Sequence, residues 1–255
     1  MQIIVYDKSL RAQICEEMLR GSQLLDRFMQ VIILPIPTTR DGIHVSGSDV
    51  PLSEVYQLVD SQTLLIGYGI PEELSELSVG AGAAVCDCKE DERFLLSNAR
   101  LTAEATLGIL LSTERRSISD LSIGVVGYGR IGERLTELLL YFGADVRVFT
   151  RRQSVGEELA ESGVGIGDSS SPEGLYDLDI LINTAPACTF DWLTEGNIPE
   201  GLRIIELASG DNLPPTEAVE RYLSLPARCY PVTAGALFAE SVERFLLLGG
   251  FGGRV

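Results

Sequence analysis

The sequence predicts an α/β chain of two parallel-sheet domains, the second built to bind a dinucleotide. Three observations predict it. Short apolar runs alternate with stretches of helical periodicity from Ile3 to Leu248. A glycine turn, Gly127-x-Gly129-x-x-Gly132, falls between one such run and a helical pattern. A helix rich in small apolar residues, 98–114, separates the two series of strands.

The glycine turn is the most specific of the three. Ile123–Val126 is a short apolar strand, and Ile131, Leu135, Leu138 and Leu139 share one side of the helix that follows. A second strand, Asp145–Phe149, comes next, so the spacing sits in the setting that a Rossmann-type domain requires. Gly127 permits the tight turn, Gly129 lets backbone approach a pyrophosphate, and Gly132 lets helix and strand pack closely. The N–H groups of Tyr128, Arg130 and Ile131 add to the positive helix end that phosphates favour. After Phe149 come Thr150, Arg151 and Arg152, where an NAD site usually carries an acid for the ribose hydroxyl. Guanidiniums there suit a 2′-phosphate, so NADP is expected and NAD is the alternative; a solvated basic turn is the plain reading.

Bulk properties exclude several classes. A formal charge of −17, from 20 basic and 37 acidic residues among 255, argues against nucleic acid and anionic membrane surfaces as partners. No apolar run reaches membrane-spanning length, and Met1–Asp7 reads as a strand rather than a signal peptide, so a cytoplasmic setting is expected. Cysteines at 15, 86, 88, 188 and 229 match neither redox nor zinc spacing and read as reduced structural thiols. His44 is the single histidine, so no His-rich metal site is expected and no metal is assigned.

In the first domain, Ile3–Val5, Val31–Leu34, Thr63–Ile66 and Ala83–Cys86 read as strands. Helices carry Leu10, Ile14, Met18 and Leu19, then Leu52, Val55, Leu58 and Val59, then the stretch after Pro71. Ligands are expected at the strand C-termini. There Thr38, Thr39 and Arg40 offer two hydroxyls and a guanidinium, although Asp41-Gly42 is also ordinary turn chemistry. Glu104, in the helix expected to be buried between domains, is a candidate acid because buried carboxylates need a partner or a function; a solvent-facing Glu104 is the alternative.

In the second domain, Leu178–Asn183 and Arg203–Leu207 are strands ending in Thr184-Ala185-Pro186 and Ala208-Ser209. These endings, with Asn183, are expected beside the nicotinamide end of a cofactor. Ala227–Tyr230 reads as a last short strand, and Ala236–Leu248 as a closing helix before a glycine-rich tail. The expected division is residues 1–98 as a short substrate domain, 99–116 as helix and linker, 117–235 as the Rossmann domain, and 236–255 as a helix and tail packing back on the first domain.

Several segments together resemble the dipicolinate synthase family, in its A-type subunit: Ile32–Pro35 with Thr38-Thr39 and Asp41-Gly42, Asn98 with Thr102–Thr106, the fingerprint, Asp179–Pro186, and Glu206–Ser209. The likeness runs from about residue 31 to 248. It implies oxidation of dihydrodipicolinate to dipicolinate with hydride transfer to NADP, a flavoprotein-like second subunit, and a sporulating host. It also implies that Thr38, Thr39, Asn98, Thr102 and Glu104 line an interdomain cleft opposite Asn183 and Ser209. The first domain is shorter than that family's, Tyr6-Asp7-Lys8 replaces a Gly-Gly-Asp-type turn, and Pro231–Gly235 stands for a Pro-Gly-rich loop.

Such a reaction removes a hydride from a ring carbon and a proton from its neighbour. A small dicarboxylate substrate needs a cation, for which Arg40 or Arg100 is suited, and a base, for which Glu104 is the nominee. A homo-oligomer is expected. A non-catalytic NAD(P)-binding sensor or scaffold is the alternative from another class. A 2-hydroxyacid dehydrogenase fits less well, because its late acid/base histidine is missing after His44.

Overall fold

Two sheets, each parallel in every pairing, organise the chain, as the alternating pattern predicts. The computed structural model describes residues 1–250 apart from 171, 191, 211 and 214–216. The glycine-rich tail beyond Gly250 lies outside the described residues. The chain divides into a unit of residues 1–98 with the stretch from Pro226 onward, and a unit of residues 99–225.

In the first unit the sheet runs in the order β1 (Gln2–Val5), β2 (Gln30–Ile33), β3 (Thr63–Gly67), β4 (Ala84–Asp87). Successive side chains of a strand point to opposite faces, and both faces here are apolar. Val31, Ile33, Leu64 and Ile66 pack with Cys15, Leu19, Phe238 and Val242, the last four from α1 (Leu10–Arg20) and α8 (Pro231–Leu248). Ile32, Leu34 and Leu65 pack instead with Leu52, Val55 and Leu74 of α2 (Leu52–Gln57) and α3 (Glu72–Gly80). Each such buried aliphatic or aromatic side chain contributes about 1.5–3 kcal/mol. Buried parallel strands explain why these runs read as continuously hydrophobic.

Helix α8 lies close against α1: a Cβ on Gly235 would meet the Arg11 carbonyl oxygen at 2.6 Å and Ile14 Cβ at 2.7 Å. Asp91 fastens the same helix, accepting from Ser241 Oγ at 2.7 Å and from Arg244 Nη2 at 2.6 Å. Those two donors, together with the backbone N–H of Phe94, hold the Asp91 carboxyl below its ordinary range against the opposing effect of its burial.

The second unit has the order β10 (Val219–Arg221), β9 (Arg203–Glu206), β8 (Ile180–Asn183), β5 (Ser122–Val126), β6 (Asp145–Phe149), β7 (Gly165–Ile166). The chain leaves β5 toward β6 and later returns to β8 on the other side, so the strand order reverses between β5 and β8. Helix α5 (Arg130–Tyr141) follows β5, and α6 (Gln153–Glu161) follows β6. The two short edge strands, β7 and β10, carry no clear signal in the sequence.

Four expectations need correction. Residues 227–230 are not a strand: α7 spans Leu225–Cys229, because Arg228 and Cys229 are consecutively exposed and β10 already takes the sheet edge. Helix α8 begins at Pro231 rather than Ala236, since the missing proline N–H has no intrahelical partner to lose in the first turn. The helix expected from 98 begins earlier, as α4 (Glu92–Thr113). Glu104 is not buried: its side chain is 39% exposed and 3.5 Å from Arg100 Nε one turn away, the usual arrangement of a solvated i,i+4 pair.

Candidate functional site

In an open parallel sheet, ligands bind beyond the strand C-termini where the strand order reverses. In the second unit that place is the crevice past Val126 and Asn183. A cavity of about 290 Å³ opens there, lined by Gly127, Tyr128, Gly129, Phe149, Thr150, Arg151, Arg152, Thr184, Ala185, Pro186 and Thr189.

The glycines behave as their spacing predicts. Gly127 has φ +86°, a conformation that L side chains rarely adopt. A Cβ on Gly132 would meet the Gly127 carbonyl oxygen at 2.0 Å, so helix and turn are as close as backbone allows. A Cβ on Gly129 would meet nothing within 4 Å, leaving its backbone open toward the cavity. Arg130 and Ile131 open α5, whose first N–H groups have no helical acceptor. A bare backbone cradle and a helix N-terminus together fit the pyrophosphate of a nicotinamide dinucleotide, with two arginines on the cavity wall.

The side walls are hydrogen-bonded into place. Thr184 donates from Oγ1 to the Val126 carbonyl at 2.8 Å, and its N–H bonds the same oxygen at 2.9 Å. Arg152 donates to the Tyr128 carbonyl, so one of the two arginines already closes over the glycine turn. Burial raises the Tyr128 hydroxyl above its ordinary range, helped by Glu133, Glu137 and Glu158, and keeps it protonated. Asn183 is 1% exposed and lies behind this wall rather than in it. Ala208 is buried and Ser209 exposed on the turn after β9.

In the first unit, the loop after β2 lies over the sheet's C-terminal edge. Thr38 is fully buried. Its N–H donates to the Tyr68 carbonyl at 2.8 Å and its hydroxyl accepts from the Tyr68 N–H at 3.1 Å, which ties this loop to the turn after β3. Asp87, at the end of β4, holds that turn from the other side by accepting from the N–H groups of Gly69 and Ile70, both at 2.8 Å. Thr39 donates to Asp41 at 3.1 Å, and Arg40 is exposed beside it. Asn98 and Thr102 both lie on α4, Asn98 half-buried and Thr102 buried.

Two residues were not singled out by the sequence pattern. Thr189 lines the crevice, and nothing in its spacing marks it. His44 enters the sequence reading only as evidence against a metal site, yet its Nδ1 lies 2.8 Å from Asp41 Oδ2. Asp41 Oδ1 also accepts from the N–H groups of Ile43 and His44, both at 2.8 Å. The backbone N–H of His44, its ring and the Ile43 N–H hold the Asp41 carboxyl well below the usual carboxylate range. The Asp-x-x-His spacing was the available signal. Among the described residues, no group of three or more His, Cys, Asp or Glu could hold a metal ion, and no helix is long and apolar enough to cross a membrane. All five cysteines are free.

Comparison with known proteins agrees with this geometry. Residues 100–191 match the family model described as D-isomer specific 2-hydroxyacid dehydrogenase, NAD binding domain. The A-type subunit of dipicolinate synthase from Bacillus subtilis (strain 168) is 25% identical over 234 residues, covering 86% of this chain and 79% of that protein. Two crystal structures share the fold. The same subunit of dipicolinate synthase from Bacillus halodurans has a TM-score of 0.75 at 19% identity, over 96% of this chain and 97% of the other. Its counterpart from Bacillus subtilis has a TM-score of 0.75 at 20% identity, over 97% and 96%. In sequence along most of its length, and in fold along nearly all of it, the chain is similar to the A-type subunit of dipicolinate synthase, with a Rossmann-type NAD-binding domain of dehydrogenase kind as its second unit.

Proposed function

We propose that the chain is an NAD(P)-dependent oxidoreductase that oxidises dihydrodipicolinate, or a closely related small cyclic dicarboxylate, to the aromatic acid. One observation carries the reading: the glycine cradle lies at the switch point of a sheet in a chain that resembles the A-type subunit of dipicolinate synthase across both units. A bound nicotinamide dinucleotide would supply the hydride acceptor.

The chain's own residues would do the rest. Gly127–Gly132 bind the pyrophosphate by backbone, and Arg151 with Arg152 favours NADP through a 2′-phosphate. Thr150 and the Thr184–Pro186 wall orient the nucleotide, with Ala208 and Ser209 on the neighbouring turn. In the first unit, Thr38 shapes the substrate loop, Thr39 orients Asp41, and Arg40 binds a carboxylate. Asn98 and Thr102 are assigned to substrate positioning.

Two groups compete for the proton. Glu104 faces solvent, 3.5 Å from Arg100 Nε one turn away. The neutral His44 ring must donate from Nδ1, because the Asp41 carboxylate can only accept; its Nε2 lone pair is then the available base. We propose His44 for this role, on the strength of its hydrogen bond to Asp41. Its similarity to a protein named as a synthase subunit supports a second subunit as partner; a cytoplasmic setting and a homo-oligomer are proposed with it.

Calorimetric titration with NADPH and NADH, with and without dipicolinate, tests the reading. Tighter NADPH binding that dipicolinate strengthens is the expected result. Nucleotide binding indifferent to dipicolinate would point to a non-catalytic relative, and no nucleotide binding would end the proposal.

A further inference from the structure

The last paired residues at the C-terminal edge of the second sheet form one row. Phe149 pairs with Val126, Val126 with Asn183, Asn183 with Glu206, and Glu206 with Arg221. Much of that row is polar, and it runs directly behind the dinucleotide crevice. Glu206 has 0% exposure. A carboxylate is kept at such a depth only when its charge is paired and its oxygens are hydrogen-bonded.

Oε1 is hydrogen-bonded, the charge of Arg221 stands opposite Oε2, and these contacts restrain the site. Glu206 Oε1 accepts from Asn183 Nδ2 at 2.9 Å and from the Ala208 N–H at 3.0 Å. Arg221 Nη1 lies 3.9 Å from Oε2. Because a carboxylate only accepts, it turns the NH2 of the Asn183 amide toward itself. The amide oxygen of Asn183 then faces the Ala185 N–H and accepts from it at 3.1 Å, while Nδ2 also reaches the Ala185 carbonyl at 3.2 Å. Ala185 in turn abuts the glycine cradle, where a Cβ on Gly127 would meet Ala185 Cβ at 3.0 Å. A single carboxylate oxygen therefore sets the backbone of two turns at the nucleotide-facing edge, 183–186 and 206–208.

We propose that Glu206 is a positioning residue of the dinucleotide site: by fixing the Asn183 amide it sets the Thr184–Pro186 wall, and nucleotide affinity depends on it although it does not line the crevice. The proposal rests on reading the crevice as a nicotinamide dinucleotide site.

Fluorescence titration with NADPH and thermal denaturation of the wild type, E206Q, E206A, N183A and the double variant N183A/E206A test it. E206A and N183A each weaken binding by about tenfold or more, and the double variant binds no more weakly than either single one, since both cut the same connection. E206Q keeps an acceptor for Asn183 and Ala208, so it retains affinity within about threefold while melting lower for want of charge opposite Arg221. A purely structural role would move melting temperatures and leave the affinity of the folded variants alone, and that outcome overturns the proposal. Losses that multiply in the double variant overturn it too. Should E206A fail to fold, wild-type affinity in N183A is decisive against it. A wild type that binds neither NADPH nor NADH refutes the crevice reading itself, and the proposal with it.

Discussion

His44 Nδ1 lies 2.8 Å from Asp41 Oδ2, three residues away on the loop that follows β2. The carboxylate is in turn fixed by two backbone N–H groups and the Thr39 hydroxyl. An imidazole so held has one tautomer and one orientation, which is the arrangement a proton acceptor needs. We propose that His44, held by Asp41, rather than Glu104, takes the proton.

Replacing the ring should therefore cost more than replacing the glutamate. H44Q is expected to lower kcat by about 10²-fold or more, D41N by a smaller factor, and E104Q by no more than about threefold. Steady-state kinetics with the dihydro substrate decide it. Since the chain has a single histidine, an untagged sample shows its Cε1–H resonance without assignment, and dipicolinate should move it. Full turnover in H44Q together with a dead E104Q would reverse the assignment.

Acid should release this loop late. The carboxyl of Asp41 is depressed in the folded chain, so its contribution is complete above the unfolded value of about 3.9 and is lost only as pH falls through the lower folded value. Carbon-13 titration of the carboxyl groups should find Asp41 still ionised at a pH where most aspartates are protonated. An ordinary midpoint would mean that the loop does not hold this geometry in solution.

Gly132 tolerates no side chain. A methyl group there would stand 2.0 Å from the Gly127 carbonyl oxygen and 2.9 Å from Thr184 Oγ1, and backbone cannot yield as a flexible side chain does. G132A should destabilise the chain by about 3 kcal/mol and abolish nucleotide binding, read by denaturant unfolding and titration. Native stability with normal affinity would show that helix and turn are not so close.

Nucleotide preference should follow the arginines after β6. Removing both, as R151A/R152A, should weaken NADPH by about tenfold or more and NADH by less than about threefold, because only the former carries a 2′-phosphate. Equal losses for the two nucleotides would assign the pair to the glycine turn, which Arg152 already touches through the Tyr128 carbonyl.

The features legible before folding are local ones. Strand and helix periodicity, the strand–glycine–helix order around Gly127 and the basic turn at 150–152 are properties of neighbouring residues, and they are legible because hydrophobic spacing and backbone sterics act within a few positions. The Asp41–His44 spacing is equally local, yet a single Asp-x-x-His carries too little pattern to stand out from ordinary turn chemistry.

Other features waited on the tertiary structure. That 227–229 turns as helix follows from which faces find cover, not from composition. Glu104 looked buried because its helix is apolar on most sides, yet its own position faces solvent beside Arg100. Thr38 became a buried tie rather than a presented hydroxyl once Tyr68 came beside it. The Asn183–Glu206–Arg221 row joins residues far apart in the chain, and only the pairing register brings them level. Register is set by the packing of both sheet faces together, so no single stretch of sequence contains it.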